Sequence, residues 1–225
     1  MIVFEKVIKK YTLGNYALHE VSFKLADNDF VFLVGPSGAG KTTILRLILR
    51  EYLPTSGSII INDINITDKK FKQVEKLRQE IGFIFQDFKV LPEKNVFENI
   101  AVSLKILDLP VVKIKDEVNK ALDLVGIKHK SAVFPIQLSA GELQRVAIAR
   151  AIVGNRNIIL ADEPTGNLDP KTSWEIMKIF KKLEGKKTIA IATHNIDIVN
   201  SLKKRVISLK EGKIVKDSYK GGYDL

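Results

Sequence analysis

Short apolar runs alternate with longer amphipathic stretches along most of the chain. Four runs are apolar at nearly every position, as strands buried on both faces are, and they occupy residues 30–34, 81–85, 158–161 and 188–192. The stretches between them carry apolar residues at helical spacing, for example at 44–49 and 114–125. This alternation predicts an α/β fold built on a parallel sheet that helices cover on both faces.

The first residues follow a different pattern. Residues 3–7 and 21–25 alternate between apolar and polar positions, and the turn residues Gly14 and Asn15 lie between them. We therefore expect an antiparallel ribbon ahead of the first buried strand.

Three further elements complete the predicted core. Residues 58–61 predict a strand that ends in a tight turn at 62–63, and residues 69–80 predict a polar helix. Residues 206–215 predict a closing hairpin before a short polar tail.

Helical periodicity replaces short apolar runs between residues 87 and 155, which predicts an inserted helical subdomain. Pro110 precedes an amphipathic helix there, and Ser139 precedes a strong helix. Glu142 follows Ser139 by three positions, the spacing of a capping box. We expect one domain over 1–225, with a core formed by 1–86 and 156–225 and a helical subdomain formed by 87–155.

Polar residues follow the ends of the four buried strands. Gly35, Gln86, Asp162 and His194 each come after one of these runs. In open α/β sheets, ligands bind beyond the carboxyl ends of the parallel strands. The four residues are therefore expected at one ligand-binding edge, although a glutamine in the position of Gln86 is more often a surface cap.

The segment Gly35–Thr43 reads GPSGAGKTT and joins the first buried strand to a helix. In that context glycines let backbone N–H groups point at an anion, and the new helix presents its positive N-terminal end. Lys41 is expected to reach the β- and γ-phosphates of a nucleotide, and the Thr42 hydroxyl is expected to ligate Mg²⁺. The alternative is a glycine-rich turn that contains Lys and Thr by chance, but it does not explain the strand and helix on either side.

Two adjacent carboxylates, Asp162 and Glu163, end the third buried strand. Such a pair is costly to bury unless it meets a cation or a proton to move. In a phosphate-loop protein we expect Asp162 to hold Mg²⁺, directly or through water, and Glu163 to act on the attacking water.

Composition limits the class of protein. The chain has 225 residues, of which 45% are hydrophobic and 28% charged, as in ordinary globular proteins, and no apolar run reaches the roughly 18 residues that cross a bilayer. It lacks cysteine, its three histidines are scattered, and its first residues lack the pattern of a secretory signal, so we expect a cytoplasmic protein without disulfides.

The formal net charge is +10. It could favour ATP, the anionic inner face of a membrane or nucleic acid, or have no function. The lysines do not form an aromatic-interleaved stripe, so nucleic acid ranks below the membrane surface and is not an expected partner.

In their order and spacing, these motifs resemble those of ABC-type ATPases over essentially the whole chain. The resemblance rests on the phosphate loop, Gln86, LSAGE at 138–142, ILADEP at 159–164, NLD at 167–169 and His194. It implies a P-loop NTPase of the RecA-like class, with a parallel-sheet core, an N-terminal antiparallel β subdomain and an inserted α-helical subdomain. It also implies a nucleotide-sandwich dimer, in which the phosphate loop of one copy and the signature segment of the other enclose each ATP.

The resemblance also implies roles for single residues. Glu163 would polarise the attacking water and His194 would hold the γ-phosphate and the water in line. Gln86 would touch Mg²⁺ and report the nucleotide state, Asp169 would link the two sites, and Ser139 would complete the site of the opposite copy. The expected ATP contacts are Tyr11, Gly35, Ser37, Gly38, Gly40, Lys41, Thr42, Thr43, Gln86, Ser139, Gly141, Glu142 and Asp169, and the expected Mg²⁺ contacts are Thr42, Gln86 and Asp162.

Two of these positions have competing interpretations. Tyr11 is either a platform for the adenine ring or an ordinary core tyrosine. Position 140 is Ala where the family commonly has Gly, and if it requires a positive φ the alanine costs on the order of 1 kcal/mol.

A narrower resemblance comes from ADEPTGNLD at 161–169, which is similar to the branch of lipoprotein-releasing, macrolide-export and cell-division ATPases. FQDFKVLPEKNVFENIA at 85–101 and the last 22 residues are most similar to the cell-division members. These act at the cytoplasmic face of the membrane with a four-span integral partner to control peptidoglycan hydrolases. Phe88 and Leu91 are then candidate partner contacts, or else ordinary packing residues. The alternatives are the ATPase subunit of an exporter and, from another class, a nucleic-acid-associated ABC clamp.

Overall fold

The computed structural model describes residues 1–12, 14–107, 109–154, 156–219 and 221. Within them the chain forms two compact units, one of Met1–Arg78 with Glu184–Leu225 and one of Gln79–Leu183. No helix in the described ranges is long and apolar enough to span a bilayer.

The elements alternate between strands and helices after the first two strands. In chain order they are β1 (Ile2–Lys10), β2 (Tyr16–Leu25), β3 (Phe30–Val34), α1 (Lys41–Ile48), β4 (Ser56–Ile61), β5 (Ile64–Asn65), α2 (Val74–Glu80), β6 (Ile81–Ile84), α3 (Val96–Lys105), α4 (Val111–Val125), α5 (Ala140–Ile152), β7 (Ile158–Asp162), α6 (Pro170–Leu183), β8 (Thr188–Thr193), α7 (Ile196–Leu202), β9 (Arg205–Lys210) and β10 (Lys213–Ser218). Two short 3₁₀ helices, Lys128–Lys130 and Pro135–Gln137, lie between α4 and α5.

The first unit contains an antiparallel sheet of order β2-β1-β4-β5. The predicted N-terminal ribbon is confirmed, because β1 pairs antiparallel with β2. The predicted turn after β4 is also confirmed: Asn62 and Asp63 have φ of 48° and 64°. A two-residue hairpin whose central residues both have positive φ matches the twist of the flanking strands.

The first unit also holds the strands that carry the glycine-rich loop. In it β3 pairs in parallel with β8 and β9, and β10 pairs antiparallel with β9 as the predicted closing hairpin. All five residues of β3 are buried. Val34 at the end of β3 lies opposite Thr193 at the end of β8. Gly35 and His194 therefore leave neighbouring strands at the same edge.

The second unit contains the parallel pair β6 and β7 and helices α3 to α6. Ile84 of β6 pairs with Ala161 of β7, so the chain leaves both strands at the same end, just before Gln86 and at Asp162. Helix α5 packs against α3, α4, α6 and β6, and it buries Val146, Ala147, Ile148 and Ala149. This helix is the centre of the unit.

One predicted boundary is wrong. Helix α2 begins at Val74 rather than near Lys69. The Asp68 carboxylate accepts a hydrogen bond from the Lys70 N–H at 2.8 Å, and the Asp68 carbonyl accepts one from the Phe71 N–H at 3.0 Å. These local bonds give the backbone an alternative to the helix.

The predicted helical subdomain, 87–155, contains α3, α4 and α5 and lies within the second unit. Its last residue, Asn155, lies outside the described residues, as do 220 and 222–225 of the chain's ending. The subdomain boundaries stay a prediction.

Candidate functional site

The glycine-rich loop joins β3 to α1. Gly40 is the N-cap residue of α1 and has a φ of 103°, in the left-handed region. A Cβ on Gly40 would lie 2.6 Å from the Ala17 carbonyl oxygen and 2.7 Å from Leu18 Cδ2. Any side chain here would therefore both strain the backbone and collide with β2.

Lys41 is buried and its ammonium turns back over the loop. Nζ donates to the carbonyl oxygens of Gly35 at 2.7 Å and Pro36 at 3.1 Å. The charge is therefore held at the loop, where an anion bound to the N–H groups of the loop would meet it.

Tyr11 lies beside the helix that follows the loop. Its hydroxyl is 3.3 Å from Thr43 Oγ1, and its ring meets the edge of Tyr52 with centroids 5.9 Å apart. Tyr11 is 38% exposed, so the ring is accessible rather than a core residue. Lys9 Nζ lies 5.4 Å from the ring centroid.

His194 is exposed and directly follows β8. Asn195 caps α7 by accepting from the Ile198 N–H at 3.1 Å, and its own N–H donates to Thr193 Oγ1 at 3.1 Å. These bonds hold the residue that follows His194 at the start of α7. His194 therefore lies at the sheet edge where β3 and β8 end, from which the glycine-rich loop also leaves.

The acidic pair ends β7, as predicted. Asp162 is its last residue, and both Asp162 and Glu163 are half-buried. Glu163 has a φ of 47°, and its carbonyl accepts from the Gly166 N–H at 3.1 Å. A left-handed conformation at a residue with a long side chain costs about 1–2 kcal/mol, and such strain concentrates at functional sites.

Gln86 and Glu163 meet at Gly166. A Cβ on Gly166 would lie 3.5 Å from Glu163 Cβ and 3.6 Å from Gln86 Nε2. The Gln86 carbonyl also accepts from Asn167 Nδ2 at 3.4 Å. The structure thus brings the Gln86 side chain, two positions after β6, and Glu163, the residue after β7, close to the same glycine.

Oxygen donors dominate the residues predicted for Mg²⁺. Thr42 supplies a hydroxyl, Gln86 an amide and Asp162 a carboxylate. No cluster of three or more His, Cys, Asp or Glu in the described ranges could hold a metal ion. Mg²⁺ is bound through one or two carboxylates, waters and substrate phosphates, so this donor set fits Mg²⁺ carried by a nucleotide.

Ser139 is the N-cap of α5, and the predicted capping box is confirmed. Its hydroxyl accepts from the Glu142 N–H at 3.3 Å, and the Glu142 carboxylate accepts from the Ser139 N–H at 2.9 Å. Glu142 also forms an ion pair with Lys130. The pKa of Glu142 is lowered, mainly by the hydrogen bond from Lys130 and secondly by the one from the Ser139 backbone.

Position 141 has little room for a side chain. A Cβ there would lie 2.5 Å from Thr172 Cγ2. Ala140, by contrast, is exposed, opens the helix and is not among the described residues with positive φ. In this structure Ala140 therefore does not pay the conformational energy that a left-handed backbone would cost a residue other than glycine.

Asp169 caps the neighbouring helix, α6. Its carboxylate accepts from the Thr172 N–H at 3.0 Å and its carbonyl accepts from the Ser173 N–H at 2.9 Å. The hydrogen bonds from Thr172 lower the pKa of Asp169. Arg145 of α5 joins Glu175 of α6 at 2.7 Å, so the two helices are also linked by an ion pair.

Two polar residues that the sequence did not single out fix the segment after Gln86. Asn99 of α3 is fully buried, and it accepts from the Leu91 N–H at 2.7 Å and donates to the carbonyls of Leu91, Lys94 and Asn95 at 2.8–3.0 Å. Arg150 of α5 donates to the carbonyls of Phe88 and Lys89. For Asn99, the sequence signal was a polar residue on the apolar face of an amphipathic helix.

A family model described as ABC transporter matches residues 18–166. The chain belongs to the ABC transporter family. It is 48% identical to the cell division ATP-binding protein FtsE of Bacillus subtilis, over 99% of this chain and 98% of that protein. It is also 48% identical to FtsE of Streptococcus pneumoniae serotype 2, over 100% and 99% of the two chains.

A solved structure in the ABC transporter family supports the same assignment. The ATP-binding cassette MJ0796, in a dimeric post-hydrolysis state with ADP and Pi, superposes with a TM-score of 0.88, 35% identity and coverage of 99% of this chain and 100% of that chain. The present chain therefore has the P-loop NTPase fold of ABC ATPases, binds ATP and hydrolyses it. The predicted family and its similarity to cell-division members are confirmed, and full-length similarity to FtsE does not favour the exporter or the nucleic-acid clamp.

Proposed function

We propose that this chain is the ATP-hydrolysing subunit of a membrane ABC complex of the FtsE type. It acts with an integral membrane partner resembling FtsX to control peptidoglycan hydrolysis in cell division, and it lies peripherally at the cytoplasmic face of the membrane. The observation that carries the proposal is the similarity to cell division ATP-binding proteins over the full length of both chains.

In the proposed reaction, water attacks the γ-phosphorus of ATP and the bond to the β–γ bridging oxygen breaks. Glu163 accepts a proton from the water, and His194 holds the water and the γ-phosphate in line. Lys41 and the N–H groups of the loop stabilise the charge that passes to ADP. Thr42, Gln86 and Asp162 would hold Mg²⁺, which would supply positive charge against the phosphates.

The site is proposed to be completed by a second copy. Ser139 and the first turn of α5 would face the γ-phosphate held by the phosphate loop of the other copy, and Asp169 would connect the two sites. Support comes from the position of Ser139 at the N-terminus of a 13-residue helix, where anions are favoured, and from the dimeric state of the MJ0796 cassette.

Phe88 and Leu91 are proposed to contact the membrane partner. Both are half-buried, and the segment around them is fixed by Asn99 and Arg150 rather than by an element of its own. A segment held in one shape presents its side chains to a partner at a lower entropic cost. No nucleic acid is part of the proposed function.

The test is co-purification from membranes. The tagged chain is expressed with the four-span membrane protein of the same genome, extracted in detergent and assayed for bound integral protein and for ATPase rate. The proposal expects a stable complex whose ATPase rate exceeds that of the free chain. Recovery of an exporter permease in place of the four-span protein would establish the alternative function, and an ATP-dependent, salt-sensitive DNA gel shift would point to the clamp.

A further inference from the structure

Phe88 and Lys89 occupy an unfavourable conformation together. Their φ values are 59° and 50°, so two consecutive residues with large side chains lie in the left-handed region. Only single residues usually adopt it, at a cost of roughly 1–2 kcal/mol each. The Lys89 N–H donates to the Asp87 carbonyl at 2.6 Å and the Lys89 ammonium lies 2.7 Å from the Asp87 carboxylate, but these bonds stay within the same turn.

Arg150 supplies the contact from outside the turn. One nitrogen of its guanidinium donates to the Lys89 carbonyl at 2.6 Å and the other donates to the Phe88 carbonyl at 2.9 Å. Two successive carbonyls, both from residues in the left-handed region, therefore accept hydrogen bonds from one cation. A guanidinium holds its donors in a rigid planar fork, which an ammonium group lacks. Arg150 is half-buried, and this partial burial lowers the pKa of its guanidinium.

The same helix carries Ser139 at its other end. Arg150 follows Ser139 by eleven positions, which is about 16 Å along an α-helix. The first turn of α5 lies against α6, where a Cβ on Gly141 would meet Thr172, and the ion pair of Arg145 with Glu175 joins the two helices. The last turn of α5 therefore contacts the segment after Gln86, and the first turn of the same helix is capped by Ser139.

We propose that Arg150 is a positioning residue that couples the segment 87–91 to the Ser139 end of α5. The inference rests on the proposed function, because it assigns to this contact the transmission between the membrane partner and the composite ATP site. A partner that docks on Phe88 and Leu91 moves the two carbonyls, the guanidinium follows them, and α5 carries the displacement to Ser139. Without the fork, the turn relaxes to right-handed conformations and the displacement is not transmitted.

A pair of substitutions at Lys89 separates the shape of the turn from its charge. Lys89→Asn and Lys89→Val both remove the exposed ammonium, but asparagine tolerates the left-handed region and a β-branched residue does not. Arg150→Lys keeps a cation on α5 and removes the fork. The proposal expects Lys89→Val and Arg150→Lys to behave alike, and Lys89→Asn to behave as the unsubstituted chain.

The first measurement uses the complex with the membrane partner. In Lys89→Val and Arg150→Lys, partner stimulation of kcat falls by a factor of about five or more, the lower end of typical coupling, while KM for ATP and the rate of the free chain change less than about twofold. Equal stimulation in Lys89→Val and Lys89→Asn would overturn the proposal. If the unsubstituted chain is not stimulated at all, the proposed function fails, and the second measurement decides the coupling alone.

The second measurement is amide hydrogen exchange of the free chain. Arg150→Lys and Lys89→Val are expected to speed exchange both at residues 87–91 and in the first turn of α5, at Glu142 and Leu143. Faster exchange confined to 87–91 would show that Arg150 only supports the local turn, and would overturn the coupling. If Arg150→Lys speeds exchange throughout the second unit, that variant unfolds generally. The result for Lys89→Val, a substitution at an exposed position, then decides.

Discussion

Thr172 of α6 lies so close to Gly141 of α5 that a methyl group on the glycine would be 2.5 Å from Thr172 Cγ2. The two helices begin side by side, one capped by Ser139 and the other by Asp169. A side chain at position 141 is therefore opposed by the neighbouring helix and not by the backbone conformation of the residue. This contact fixes the proposed γ-phosphate contact relative to the residue proposed to link the two sites.

Gly141→Ala is expected to lower both stability and ATPase rate. Because Thr172 must move to make room for the added methyl group, the cost is about 1–3 kcal/mol of unfolding free energy, measured by urea titration. Ala140→Gly at the adjacent exposed position should cost no more than about 1 kcal/mol. Thr172→Ser removes the opposing methyl group, so it should restore most of the loss in the Gly141→Ala background. Failure of that rescue would show that Gly141 matters for another reason.

Glu163→Gln is expected to slow ATP hydrolysis by a factor of about 10² or more while ATP still binds, because the amide cannot accept the proton of the attacking water. ATP-dependent dimers should then accumulate on size-exclusion chromatography. Glu117→Gln, at a partly exposed residue of α4 that pairs with Lys120, is the matched control and should leave the rate unchanged. Unaltered turnover in Glu163→Gln would remove its assignment as the base.

Lys41→Ala is expected to weaken ATP binding by a factor of about 10 or more, since a charge-assisted hydrogen bond to phosphate contributes about 1.5–3 kcal/mol. The Kd is measured by titration calorimetry with a slowly hydrolysed ATP analogue. Lys213→Ala, at an exposed position of β10, changes the net charge by the same amount and should bind ATP with unchanged affinity. An equal loss in both variants would point to a non-specific effect of charge.

Asn99→Leu is expected to lower the unfolding free energy by about 2–4 kcal/mol. The leucine fits the apolar face of α3, but it leaves the buried N–H of Leu91 and the carbonyls of the segment without their partner. Ser103→Ala on the same helix should change stability by less than about 1 kcal/mol. Asn99→Leu with unchanged stability would mean that the segment finds other hydrogen-bond partners.

Glu142→Gln is expected to remove part of the acid sensitivity of folding. The pKa of Glu142 is lowered in the folded chain by Lys130 and Ser139, so its ionised form adds stability above the pKa of an unfolded glutamate. That contribution is lost as the pH falls through the lowered pKa. Glutamine keeps an acceptor for the Ser139 N–H but loses the ion pair. The unfolding free energies from urea titration should therefore differ by up to about 1 kcal/mol at pH 7 and converge in acid, and a difference that widens in acid would contradict this.

The strand ends were predictable because they depend on a local pattern. Apolar runs of strand length locate β3 and β8, and parallel strands place their carboxyl ends together, as Val34 and Thr193 show. The capping box at Ser139 was predictable for the same reason, since its two hydrogen bonds span only three residues.

What the sequence could not supply depends on distant partners. Arg150 lies 61 and 62 positions from the carbonyls that it binds, and nothing in its own helix identifies them. Asn99 reads as one polar residue in an amphipathic helix, although it is fully buried. The predicted start of α2 was wrong because the Asp68 side chain accepts a hydrogen bond from the Lys70 N–H. Helical periodicity in the sequence does not reveal this bond.

The hydroxyl of Ser139 is both acceptor and donor. In the capping box it uses a lone pair to receive the Glu142 N–H, at a long 3.3 Å, and this bond does not consume its own proton. A serine can thus keep its helix capped while it turns that proton toward a phosphate oxygen. Threonine would keep this double capacity, whereas aspartate would keep only the acceptor and add a negative charge facing the phosphate. The helix cap and the proposed nucleotide contact are compatible uses of one oxygen atom, so dimer closure would not have to uncap the helix.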